Sequence, residues 1–186
     1  FRSAKGSLKS QPFERSWEEW IEELTTHQTV SQKDTTNFLF GKIENQKTRN
    51  DKNVEFFDAM ALDVDGVSDS QVEKIFESLS HFEFVLYTSF NHKAPNLDPE
   101  SNNKIRVVLP LADRLAPSDY KKVQSQFDTL IGGENDKGVR KISQPYYIYS
   151  SPAERKDSSF AIHNAGKWIE VSDLPKSTKR ESQTAE

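Results

Sequence analysis

Two acids one residue apart close an apolar stretch of the chain, Ala61-Leu62-Asp63-Val64-Asp65-Gly66. On a β-strand successive side chains point to opposite faces, so Asp63 and Asp65 share one face and Leu62 and Val64 share the other. Carboxylates this close repel, and the repulsion is relieved by protonating one of them or by recruiting a cation. Hard oxygen donors suit Mg²⁺ or Mn²⁺, which makes the pair a candidate metal site. The same residues also suit a strand end with two solvated acids before a glycine turn. A second polar group, His92, follows in Tyr87-Thr-Ser-Phe-Asn-His-Lys93, just past an apolar run. The next run, Lys104-Ile-Arg-Val-Val-Leu-Pro-Leu111, puts Lys104 and Arg106 on one strand face and Ile105, Val107 and Leu109 on the other. Arginine grips phosphate oxygens in a fork and lysine adds a point charge; a solvated basic edge is the plain alternative. A third stretch, residues 132–147, holds Asp136 followed by Lys137, Arg140 and Lys141.

Elements must position these groups, and the pattern supplies them. Ser16 and Glu19 have capping-box spacing ahead of Trp17, Trp20, Ile21 and Leu24, which predicts a helix over 16–26. Alternation of Phe38, Phe40 and Ile43 predicts a strand over 38–43, and the apolar-free residues 44–53 predict an exposed loop. A buried strand over 58–65 carries the acid pair. A helix over 68–80 follows, then strands over 82–90 and 104–111, the latter ended or forced to an edge by Pro110. Pro117 opens a helix over 117–131. A strand over 142–150 is interrupted by Pro145, and one short strand or hairpin lies between Phe160 and Val171. The mixed order is α+β rather than a βα repeat.

The chain has 186 residues, which fits one domain. A hydrophobic share of 34% is low, but twelve Phe supply large apolar area per residue, so a core is expected. With 25 basic and 29 acidic side chains the net charge is −4, which argues against coating nucleic acid by charge alone. The absence of cysteine excludes disulfides and thiolate zinc or iron–sulfur sites, and fits a cytoplasmic protein. No apolar run approaches the roughly 18 residues of a membrane span. Residues 1–12 read as a flexible segment, 13–175 as the folded domain and 176–186 as a disordered tail or linker.

The D-x-D strand, then T-S-F-N-H, then K-x-R-V-V-L-P-L, then a later Asp resembles the archaeo-eukaryotic primase superfamily over about residues 38–170. It is most similar to primase-polymerase domains of replication proteins in phages, plasmids and other mobile elements. The resemblance implies an RRM-like antiparallel sheet with packed helices beside an N-terminal α/β lobe. It implies a template-directed nucleotidyl transferase working with two Mg²⁺ or Mn²⁺ ions, on nucleoside triphosphates and a single-stranded DNA template. In that reading Asp63, Asp65 and Asp136 hold the ions, with Asp128 the rival third acid. His92, Lys104 and Arg106 contact the triphosphate. Gln144 stands where relatives often carry Arg, and Asn91 where they often carry Ser. Lys47, Arg49, Arg140 and Lys141 are candidate template contacts, and Tyr146 and Tyr147 candidate stacking partners. The resemblance further implies a longer replication protein, with a helicase domain following. Two other classes fit parts of the sequence. A non-catalytic single-strand-binding module needs no acids, and a haloacid-dehalogenase-like phosphatase would use Asp63 as nucleophile but leaves the His and the basic strand unexplained.

Overall fold

Alternation of apolar and polar residues along two long strands organises the molecule. The computed structural model describes residues 2–3, 14–33, 36–44, 47–134 and 141–173. In chain order the elements are β1 (Arg2–Ser3), α1 (Trp17–Thr25), β2 (Gln28–Thr29), β3 (Asn37–Phe38), β4 (Gly41–Ile43), β5 (Val54–Val67), α2 (Asp69–Leu79), β6 (Phe84–Thr88), β7 (Asn103–Leu115), α3 (Tyr120–Leu130), β8 (Tyr146–Tyr147), β9 (Ser150–Ser151) and β10 (Ala161–Asn164). The main sheet is antiparallel, in the order β10-β6-β7-β5-β4. A three-stranded ribbon, β1-β3-β8, and a parallel pair, β2-β9, accompany it.

Each face of the sheet has its own core. Leu62 and Val64 of β5, Phe84 and Leu86 of β6, and Ile105, Val107 and Leu109 of β7 pack with Ile75 and Leu79 of α2 and Val123 and Phe127 of α3. Ala59 and Ala61 of β5, Val85 and Tyr87 of β6 and Val108 of β7 face the other way, against Trp17 and Leu24 of α1, Phe38 and Tyr146. Both of the first two helices start as their sequences require. Ser16 and Glu19 complete a capping box, and Ser68 with Gln71 completes another. Among the described residues no helix is long and apolar enough to cross a membrane.

Of the expected strand 142–150 only Tyr146–Tyr147 and Ser150 of β9 are extended and paired, in two different sheets, because the turn ahead of Pro145 and the step at Ile148–Tyr149 break the run. Two further expected strands differ from the sequence reading. The run 38–43 is split: Phe38 belongs to the ribbon and Gly41–Ile43 to the main sheet. The chain changes sheets at Phe40, whose carbonyl accepts the Asp58 N–H at 3.2 Å. Gly41 permits the crossing, because a Cβ there would lie 2.4 Å from the Phe56 carbonyl oxygen. The second difference is Pro110, which neither ends β7 nor sits on an edge strand. On the β6 flank the ladder stops at Val108, so no strand there needs the missing N–H. Ile169 bridges that flank instead, donating its N–H to the Pro110 carbonyl at 3.1 Å.

Candidate active site

The antiparallel register sets Asp63 directly opposite Arg106 and Asp65 opposite Lys104. All four side chains emerge on the face away from α2 and α3, beyond the end of the second core. One Arg106 Nη lies 2.9 and 3.1 Å from the two Asp63 carboxylate oxygens. Lys104 Nζ reaches Asp65 Oδ2 at 2.6 Å. The mutual repulsion of the acids is therefore relieved by cross-strand cations. Gly66 follows at φ +77°, in a bulge that shifts the register between Asp65 and Val67. A residue with a side chain is strained at that angle, so glycine lets the strand turn away immediately after the second acid.

Arg106 is the most enclosed of these four charged residues, with 4% of its surface exposed. Its other Nη donates to the Tyr147 carbonyl at 2.8 Å, and the Tyr87 hydroxyl donates to that same oxygen at 2.9 Å. The guanidinium carbon stands 5.7 Å from the Tyr87 ring centre and 5.2 Å from that of Tyr146, in reach of cation–π attraction. Burial alone would push its proton off, but Asp63, Tyr87 and Tyr146 together outweigh that and raise its pKa. Burial raises the Tyr87 and Tyr146 phenols too, so both stay neutral donors.

His92 lies in the turn after β6 and is 2% exposed. Its Nδ1 accepts the Lys104 backbone N–H at 3.3 Å, so one residue carries both the imidazole and, through its ammonium, Asp65. Burial lowers its pKa to about 4, helped by the charge of Lys93; the ring is neutral near pH 7. With Nδ1 accepting, the proton of the neutral ring sits on Nε2.

The remaining sequence candidates lie elsewhere or lack description. Asp136 and Arg140 lie outside the described residues. Asp128 is on α3, in the layer covering the opposite face from Asp63. Gln144 sits in the turn before β8, its N–H donated to the Lys141 carbonyl, and Lys141 is exposed. Arg49 is a tether: its Nη donates to the Ser143 carbonyl at 2.7 Å, holding the 47–53 segment against the approach to β8. Lys47 is exposed and lies 4.0 Å from Glu44. Tyr146 is buried, with its hydroxyl donated to the Ala61 carbonyl at 3.0 Å, so packing takes the place of base stacking there. Among the described residues no three metal-binding side chains cluster. The Asp63–Asp65 donor set, hard oxygens on one face, still fits a divalent ion that displaces or shares the two cations.

The sequence did not single out Tyr87, one aromatic residue within an apolar run, or Arg155, whose surroundings Ser-Pro-Ala-Glu-Arg-Lys-Asp carry no periodic signal. A cavity of about 690 Å³ is at the other end of the second face, lined by Trp17, Trp20, Phe56 and Trp168 rather than by Asp63 and Asp65.

No protein-family model matches the chain, and no curated protein sequence matches it. Among solved structures, the archaeo-eukaryotic primase (AEP) domain of the cyanophage S-2L primase-polymerase is similar. It superposes with a TM-score of 0.52 at 14% sequence identity, over 75% of this chain and 68% of that one. The α+β chain with its antiparallel main sheet thus has a fold like that of an archaeo-eukaryotic primase domain.

Proposed function

We propose that this domain is a template-directed nucleotidyl transferase, a DNA primase or primase-polymerase, acting in the replication of a mobile element. The observation that carries the reading is the in-register ladder Asp63–Arg106 and Asp65–Lys104, with His92 fixed to the same Lys104, on a primase-like fold. In this reading β5-α2-β6-β7-α3 is the RRM-like unit, because α2 joins two strands that flank β7 on either side. The substrates are nucleoside triphosphates on a single-stranded DNA template, and a helicase domain is the expected partner in a longer protein.

Asp63 and Asp65 would hold Mg²⁺ or Mn²⁺, with Asp136 as the third acid. Bound ions supply a more acidic 3′-hydroxyl and neutralise charge on the triphosphate. The chain's own contribution is positional. Arg106 is locked by Asp63, the Tyr147 carbonyl and two rings, so it offers a fixed positive field rather than a mobile grip. Lys104 is the more solvated cation and can trade Asp65 for a phosphate oxygen. Neutral His92 donates from Nε2 and does not serve as a base.

The test is incubation of the protein with labelled nucleotides, single-stranded template and Mg²⁺ or Mn²⁺. Asp63→Ala combined with Asp65→Ala is expected to abolish product while thermal unfolding remains cooperative. Undiminished synthesis by that variant overturns the mechanism. One observation favours a second reading. Because two cations already neutralise the two acids, the site is electrically balanced without metal, as a non-catalytic single-strand-binding module would be. Such a module retains strand affinity in chelator and makes no product. The phosphatase reading would appear instead as an aspartyl-phosphate at Asp63.

A further inference from the structure

A triphosphate needs cations that are not already spent, and the two on β7 are engaged by Asp63 and Asp65. Arg155, in the short 3₁₀ segment Ala153–Ser158, is different. Its guanidinium carbon lies 5.5 Å from the Phe90 ring centre, and one Nη reaches the His92 carbonyl at 3.5 Å, the long limit of a hydrogen bond. Its Nε is buried without a partner, and no carboxylate among the described residues pairs with it. His92, whose carbonyl it touches, presents a second orphan. The Nε2 atom is buried and has no hydrogen-bond partner. The Ser158 backbone approaches the ring and favours its protonation, but falls short of hydrogen-bond geometry to Nε2.

Two buried N–H donors without acceptors, on residues that meet at the His92 carbonyl, mark a place where a ligand brings the acceptors. A ligand that accepts from an imidazole and a guanidinium together is an oxyanion with several oxygens. Lys93 stands next to His92 at φ +48°, its Nζ 3.8 Å from an exposed Asp69 carboxylate, and adds a positive rim. We infer that Arg155 is a phosphate-binding residue which, with His92, forms the subsite for the terminal phosphates of the incoming nucleotide. The identity of the nucleotide rests on the proposed function; the oxyanion chemistry does not. Both donors are closed to solvent in this state, so the anion enters as the Arg155 side chain swings off Phe90, where only a ring contact and one long bond hold it.

Two measurements on the full chain test this. Calorimetric titration of metal-free protein with inorganic tripolyphosphate is expected to show salt-sensitive binding that Arg155→Ala weakens about tenfold or more and Arg155→Lys partly restores. Lys122→Ala, exposed on α3 over the opposite face of the sheet, is expected to leave it unchanged. In nucleotide incorporation, Arg155→Ala is expected to raise KM about tenfold with kcat nearly constant. Arg155→Gln, closer in shape, serves if the alanine variant unfolds. Absent tripolyphosphate binding, or binding and KM indifferent to Arg155, overturns the inference even where nucleotides are joined. Arg155-dependent tripolyphosphate binding in a protein that joins no nucleotides keeps the anion site and overturns the transferase reading.

Discussion

Leu62 and Val64 point into the core beneath α2 and α3, while Asp63 and Asp65, their immediate neighbours in the chain, point to the opposite face of the same strand. The same division runs through β7, with Ile105 and Val107 on one side and Lys104 and Arg106 on the other. The two faces differ in what enforces their geometry. The apolar face is held by area removed from water, which is non-directional and tolerates small shifts. The charged face is held by register: a one-residue slip would put Asp63 opposite a core residue and bury Arg106 without its carboxylate. The face under α2 and α3 therefore anchors the strands, and the other face uses that anchorage to fix four charges.

The strongest way to break the comparison is at Arg106. Removing one partner of an enclosed ion pair leaves the other uncompensated, at a cost of about 3–5 kcal/mol. Arg106→Ala is expected to lose that much in urea unfolding. Asp63→Leu with Arg106→Met, which removes both charges and keeps volume, is expected to recover most of it while abolishing activity. A loss below about 1 kcal/mol in the single variant would show that Arg106 is solvated and that the register is not charge-enforced.

On the apolar face, Leu62 is fully buried. Leu62→Ala is expected to cost about 2–5 kcal/mol through lost transfer energy and the cavity left behind. Its effect should be on stability alone: KM for nucleotide in the folded population stays at the wild-type value, whereas a raised KM would mean that the faces are mechanically coupled through β5.

How much of this was legible in the sequence follows from the range of each interaction. The alternation in Ala61–Asp65 and Lys104–Leu109 is local, and it correctly assigned side chains to faces. The partnership of Asp63 with Arg106 was not legible, because it depends on the register set by the intervening helix, strand and loop and by the Gly66 bulge. Pro110 misled because a proline's cost depends on whether a neighbouring strand wants its N–H, and only the three-dimensional order shows that β6 has stopped. His92 was legible as a polar residue past a strand end, but its burial and its bond to Lys104 were not. Arg155 gave no local signal, since a buried guanidinium Nε without a partner is a property of what surrounds it.

His92 sharpens the contrast through pH. Its folded-state pKa of about 4 lies below the ordinary 6.5. Above pH 6.5 neither folded nor unfolded protein protonates the ring, and the group has no effect. Between 6.5 and 4 the unfolded chain takes up the proton and the native state resists, so stability falls as pH falls; below 4 the difference is constant. The loss attributable to His92 is expected to be of the order of 2–3 kcal/mol. It is read as the difference in pH dependence between wild type and His92→Gln in urea unfolding. Equal slopes for the two would place the ring in water. Bound tripolyphosphate is expected to raise the pKa and reduce the slope.

The smallest expected effect isolates distance from environment. Lys104 and Asp65 are closer, at 2.6 Å, than Arg106 and Asp63 at 2.9 Å, and a ranking by distance would make theirs the stronger pair. Exposure argues the reverse. The Lys104 and Asp65 side chains are 20% and 37% exposed, against 5% and 21% for Arg106 and Asp63, so water and salt screen the first pair far more. Lys104→Ala is expected to cost less than about 1 kcal/mol, and less still in high salt. A cost matching that of Arg106→Ala would mean that both rungs are equally enclosed. A small cost leaves Lys104 thermodynamically free to leave Asp65, as a cation must be if it is to meet a phosphate oxygen when an ion takes its place on the carboxylate.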